Sequence, residues 1–299
     1  MPRKTPIFAR RRPSRVRRVA GWLPVGFVAV LLASLLFLRV LDQDAARSTD
    51  PGPVHVHALG LDPVNLSLFI ATHTGLYRLP PGQANAERVS DRHQDTMGFT
   101  VAGPDHFLGS GHPDLRDDLP PLLGLIESRD SGETWEPISL LGEVDFHVLR
   151  ADVRHVVGYD ATSGLVLMSS DGGRTWKDQR PPERLYDLVV RPNSTQTFIA
   201  TGENGLFISR DRGATWSRRE QRTGLLVWPR RDRLYLLDPS GRTWLSQDGG
   251  NRWQARGQTG SMPAAFLAVD SHTLYAAAHD GSIKRSSDGG ATWIVRGTR

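Results

Sequence analysis

The chain has 299 residues, no cysteine and a formal net charge of +5. The absence of thiols excludes disulfide staples and thiolate metal centres. Residues 1–40 hold nine basic groups and no acid, which leaves residues 41–299 with 28 basic against 32 acidic groups; that part has no basic excess for phosphates, so nucleic-acid binding is excluded as a function class.

Eight of those basic groups lie in residues 1–18, and Val19 to Leu38 follows without a charge. At roughly 1.5 Å per helical residue, this stretch spans a bilayer core of about 30 Å. The basic flank holds the N-terminus in the cytoplasm. The chain therefore reads as a basic cytoplasmic tail (1–18), a single transmembrane signal-anchor (19–40), a linker (41–53) and an extracytoplasmic domain (54–299). The alternative is a signal peptide cut after Ala46. That cut would put Asp44 at the −3 position, where a small residue is needed, so the uncleaved anchor is preferred.

From residue 54 onward, short β-rich runs are separated by turn residues. The first unit is His57-Ala-Leu-Gly-Leu, then Leu68-Phe-Ile-Ala-Thr, then Gly75-Leu-Tyr-Arg-Leu. The same pattern recurs at 185–208 and 264–287. Six units of four strands are predicted, at 54–92, 95–138, 144–179, 184–219, 223–256 and 262–296. Units of this size and period close radially into a β-propeller. A seventh blade would require strands hidden in 103–125.

One phrase marks five of the units. It runs Ser128-Arg-Asp130-Ser-Gly132-Glu-Thr134-Trp135 and recurs from Ser169, Ser209, Ser246 and Ser286, at spacings of 41, 40, 37 and 40 residues. Its Asp closes a turn by accepting from backbone amides, its Gly supplies a positive φ, and its Trp buries a large ring. A structural role is expected for Asp130, Trp135, Asp171, Trp176, Asp211, Trp216, Asp248, Trp253, Asp288 and Trp293. In the first unit, Val89 to Arg92 reads as a degenerate remnant of the phrase.

The phrase resembles the Asp-box, or bacterial neuraminidase repeat, of sialidases, sortilin-like receptors and photosystem assembly factors. The segments Asp95-Thr-Met-Gly-Phe-Thr, Gly109-Ser-Gly-His-Pro-Asp-Leu and Asp145-Phe-His-Val-Leu resemble bacterial membrane-anchored propellers named as glycosyl hydrolases. The resemblance implies an all-β propeller whose substrate face lies away from the boxes. It carries no catalytic residue over.

On that face, the starts of the first strands contribute His57, Met97, His147, Asp187 and Ala265, with His55, Gln94, Asp95 and Asp145 just ahead of them. The loops between second and third strands contribute His73, His112 with Asp114, Asp160, Glu203, Asp238, and His279 with Asp280. The polar side falls on blades 1–4. The stretch 107–123 reads as an insertion lying over the same face, and loops of this kind carry function. The predicted ligand-binding rim is His57, Asp95, Met97, His112, Asp114, His147 and Asp187.

Three function classes remain open. The leading one is a monomeric binding or assembly scaffold that takes a protein or carbohydrate ligand, needs no cofactor and performs no catalysis. The second is a glycoside hydrolase using two carboxylates, with Asp95, Asp114, Asp145 and Asp187 as the main candidates and Asp160 and Glu203 behind them. A sialidase mechanism is excluded, because the arginine triad and the Arg-Ile-Pro phrase are missing and only Tyr159 and Tyr186 approach the face. The third class is a transition-metal binder using His55, His57 and His147, since His-x-His on a strand places both rings on one side.

Overall fold

The computed structural model describes residues 52–297 apart from residue 153; the readings for residues 1–51 lie outside the described residues. Every regular element described is a β-strand, and the strands form six four-stranded antiparallel sheets. The sheets cover residues 56–88, 95–139, 146–179, 185–220, 225–258 and 263–297, within a few residues of the predicted units. Stretch 103–125 holds no seventh blade. It supplies the second strand of blade 2, His106–His112, followed by a loop, so the first part of the expected insertion is strand.

Each sheet runs in chain order from the channel outward. The innermost strands are Val56–Leu61, Asp95–Gly103, Phe146–Ala151, Leu185–Val190, Leu225–Arg230 and Pro263–Ala268. Each packs against the next, and the last packs against the first. Among the described residues the ring closes by packing, with no strand exchanged between blades 1 and 6. Val56, Leu59, Leu68 and Tyr77 meet Ala265, Tyr275, Ala277 and Ile283 at the seam.

The core is divided into six clusters, one at each interface between neighbouring blades. This explains why the middle strands are apolar without alternation. Leu68–Thr72 and Phe198–Gly202 are buried at every position, because each sheet is covered on both faces.

The box turns behave alike. The Gly amide donates to the Ser hydroxyl at 2.7–2.8 Å in all five. That hydroxyl donates on to Asp Oδ1, and Oδ1 also accepts the amide four residues after Asp. In four boxes the Thr hydroxyl closes on Asp Oδ2; the fifth has Arg252 in the Thr position and forgoes that bond. Gly173 shows why glycine is needed here. Its φ is +87°, and an added Cβ would stand 2.1 Å from Leu125 Cδ2 of the preceding blade.

Each box tryptophan packs against the cluster between its own blade and the preceding one. The rings are half-buried, not fully buried, since the turn sits at the outer rim and leaves one side of each indole in solvent. Blade 1 also departs from expectation. Its third and fourth strands end at Leu79 and begin at Glu87, so the turn equivalent to a box is 80–86. Residues 89–92 follow the fourth strand, on the opposite face. Arg296 of blade 6 donates to the Pro80 and Gln83 carbonyls of this turn.

The box carboxylates have an acid signature. The Thr215 hydroxyl, the Thr215 amide and the Ser209 hydroxyl bring the Asp211 carboxyl down to about 2, and the bonds from Thr292 do the same for Asp288, also to about 2. A carboxyl whose folded pKa is depressed stabilises the fold above its unfolded value of about 3.9 and loses that contribution as pH falls through the folded value. Stability should therefore decline between about pH 4 and about pH 2. Urea melts of wild type and Asp211→Asn at about pH 5 and about pH 2.5 test this. The variant should lose less stability on acidification; an equal loss would mean that the box carboxylates are not the groups titrating.

Candidate functional site

In an antiparallel blade, the turns joining first to second and third to fourth strands share one face. The second-to-third loops and the blade-to-blade connections share the other. The boxes lie on the first face, and the candidate residues lie on the second.

A recurring bulge decides which side chains reach the channel mouth. In five innermost strands the register slips by one residue near the start, leaving His57, Met97, His147, Tyr186 and Ala264 as the unpaired extra residue. Blade 5 pairs regularly here, and its Leu225 takes the corresponding place. A bulge re-aims the side chain that carries it. A narrow cavity of about 120 Å³ at the axis is lined by His57, His147, Tyr186, Leu225 and Ala264, with Phe99 and Phe266 below.

The ring corrects two alignments. Blade 4 presents Tyr186, 52% exposed, where Asp187 was expected, and blade 6 presents Ala264 where Ala265 was expected. Asp187 also lines this cavity, but it is buried in the wall and bonded inward. It accepts from Arg150 Nη2 at 2.7 Å, the Leu188 amide at 2.7 Å and the Leu226 amide at 2.8 Å. Burial pushes its carboxyl up, against the pull of Arg150 and the two amides.

Asp114 is also structural. It is buried and accepts from the His93 amide, the Arg116 amide and the Arg116 guanidinium. The Arg116 hydrogen bonds hold its carboxyl far below the usual range. Asp160 caps its own loop through Thr162 and Ser163 and receives the Asp145 amide. Both residues shape the face without being presented on it.

Two imidazole–carboxylate clusters remain on blades 1–3. In the first, Asp95 lies between two rings: Oδ2 is 2.8 Å from His73 Nδ1, and Oδ1 is 3.4 Å from His57 Nε2. The ring of His55 stands 6.1 Å from that of His73. In the second, Asp145 Oδ2 lies 2.8 Å from His147 Nε2 and 3.7 Å from His112 Nε2. His112 Nδ1 lies 2.9 Å from the Pro121 carbonyl, a contact that orients the ring with Nε2 toward Asp145. The predicted metal set of His55, His57 and His147 is thus divided between the clusters. His73 completes the first, a residue the sequence places in a loop but does not pair with Asp95.

A wider open cleft of about 420 Å³ lies on the same face between blades 3 and 4, lined by residues 161–164 and 180–184 with Tyr159. The sequence reading missed it, because no unusual residue marks those two connections. Large apolar side chains are exposed around the face as well: Leu115, Leu119, Tyr186 and Met262.

Comparison with known proteins supports the repeat and the fold. The BNR/Asp-box repeat signature matches residues 207–218. A xyloglucanase from Paenibacillus sp. is 32% identical over 159 residues, which is 46% of this chain and 14% of that protein; the match thus spans about one seventh of that relative's length. Among solved structures, the GH74 enzyme of Niastella koreensis superposes with a TM-score of 0.60 at 14% identity, over 82% of this chain and 45% of that one. YCF48 of Cyanidioschyzon merolae gives 0.51 at 13% identity, over 82% and 86%. A chain of a nidogen/laminin complex gives 0.58 at 13% identity, over 76% and 91%.

Proposed function

We propose that this Asp-box β-propeller is a binding or assembly scaffold, held outside the cell membrane by residues 19–40, that engages a protein partner through the face opposite its boxes. The observation that carries this reading is the channel-mouth ring: bulges bring His57, Met97, His147 and Tyr186 together on one rim. The neighbouring cleft between blades 3 and 4, about 420 Å³, is within the roughly 300–1,000 Å³ of small-molecule pockets, but the cavity beneath this ring, about 120 Å³, is well below that range. The exposed apolar residues around it suit a protein surface laid across the rim. That a superposed propeller belongs to a nidogen/laminin complex accords with such a use of the fold.

A glycoside hydrolase is the second reading, favoured by the xyloglucanase relative. Of the carboxylates proposed for it, Asp114, Asp160 and Asp187 are consumed by internal donors. Asp95 and Asp145 are each held by an imidazole within 2.8 Å, which favours a binding role for them.

Site-specific photo-crosslinking in cells tests the scaffold reading. A crosslinker at position 186 should capture a discrete partner, and one at position 215 on the box face should not. Changing His112 and His147 together to Ala should reduce the yield at 186 while the chain stays folded. Capture from 215 alone would place the interaction on the wrong face, and an undiminished yield in the double variant would remove the histidines from it.

A further inference from the structure

We propose that His57, His73 and Asp95 form a binding site for a divalent transition-metal ion of the zinc–copper class. Three separate devices bring the residues together. His57 is the bulged residue of blade 1, His73 begins the turn after that blade's second strand, and Asp95 opens blade 2. One donor atom from each lies within 4.8 Å of the other two.

The spacing suits a small ion. With ligands about 2.0–2.1 Å from a tetrahedral zinc, donor atoms stand about 3.3–3.4 Å from one another. His57 Nε2 and Asp95 Oδ1 are 3.4 Å apart, too far and too poorly aligned for a good hydrogen bond but close to a shared coordination edge.

A second observation is independent of that spacing. Among the described residues, His57 Nε2 and Asp95 Oδ1 are both buried and have no hydrogen-bond partner. Buried polar atoms are rarely left unsatisfied, and here the two face each other. A cation between them would satisfy both.

Two nitrogens and one carboxylate oxygen favour zinc or copper over magnesium or calcium, which take oxygen ligands. Three protein ligands leave a position open toward solvent, because the His73 side chain is 63% exposed. The exposed His55 ring stands beside that opening.

The test is metal uptake by the tag-free full chain, stripped with chelator and titrated with Zn²⁺ or Cu²⁺ against a chromophoric competitor. One equivalent should bind, and Mg²⁺ should not compete. His73→Gln and Asp95→Asn should each weaken binding at least as much as the roughly 10–100-fold lost when a group supporting a metal ligand is removed. His112→Ala should bind like wild type. The Cu²⁺ electron-paramagnetic spectrum should show two nitrogen ligands in wild type and one in His73→Gln. Because His73 is exposed, its variant keeps its fold, which the thermal melt of the metal-free protein verifies. No uptake by wild type, or unchanged uptake and spectrum in both variants, would overturn the site. No partner is present in this assay, so its outcome is separate from that of the crosslinking.

Discussion

Replacing Trp176 by alanine is expected to destabilise the propeller by about 3 kcal/mol, the low end of the range for deleting a large aromatic ring. The low end applies because the ring is only half-buried. Its covered side packs on the fully buried Phe146, with centroids 5.2 Å apart and planes tilted by 38°. Its Nε1 donates to Ser139 Oγ at 3.0 Å, and that hydroxyl donates to the Gly173 carbonyl at 2.5 Å. The substitution therefore opens the blade 2–3 interface and unties the box from the neighbouring blade's last strand. For a domain of this size the loss corresponds to a drop in melting temperature of about 6–12 °C. Denaturant melts measure it directly. A change below about 1 kcal/mol would show that the indole covers the interface without holding it.

Asp187→Ala should cost about 3 kcal/mol, the low end of the range for removing one partner of a buried ion pair, because Asp187 is buried but the Arg150 side chain is 32% exposed. Three donors converge on this carboxylate, and two of them are amides of the channel wall. Alanine leaves Arg150 Nη2 and the Leu188 and Leu226 amides without this acceptor. Asn keeps an acceptor and should cost less. The adjacent Tyr186 gives the contrast: its side chain is exposed, so Tyr186→Ala should stay within about 0.5 kcal/mol of wild type. Equal effects at 186 and 187 would mean that the assigned bulge register is wrong.

That pair of residues also shows how far the site could be read from the chain. The first strands and their mouth positions were legible at His57, Met97 and His147, because polar or sulfur-bearing residues stand out against apolar runs. In blades 4 and 6 the alignment slipped by one, to Asp187 and Ala265. Strand alternation has period two, so an extra residue moves the next side chain to the other face. Nothing in Leu185-Tyr-Asp-Leu marks where the bulge falls; the ladder to the second strand decides it. Asp114 misled for a related reason. A carboxylate in a Gly-His-Pro-Asp stretch reads as presented, and only the folded loop reveals Arg116 and the His93 amide beside it.

The structure decided six blades over seven, but the sequence by itself determined the propeller architecture, the unit boundaries to within a few residues and the turn-closing role of the five boxes. These depend on contacts within a few positions of one another, as between Ser169, Asp171, Gly173 and Thr175, and on a period repeated too often to be accidental. The tertiary structure alone decided which histidines meet which carboxylates. His73 finds Asp95 in the next blade, and His112 finds Asp145 across the following interface. Such pairs join residues far apart in the chain and depend on how neighbouring sheets twist and pack. The repeat fixes that a blade is built, whereas the side chains that converge at the mouth are set by the angle between one blade and the next and by a single unpaired residue in each inner strand.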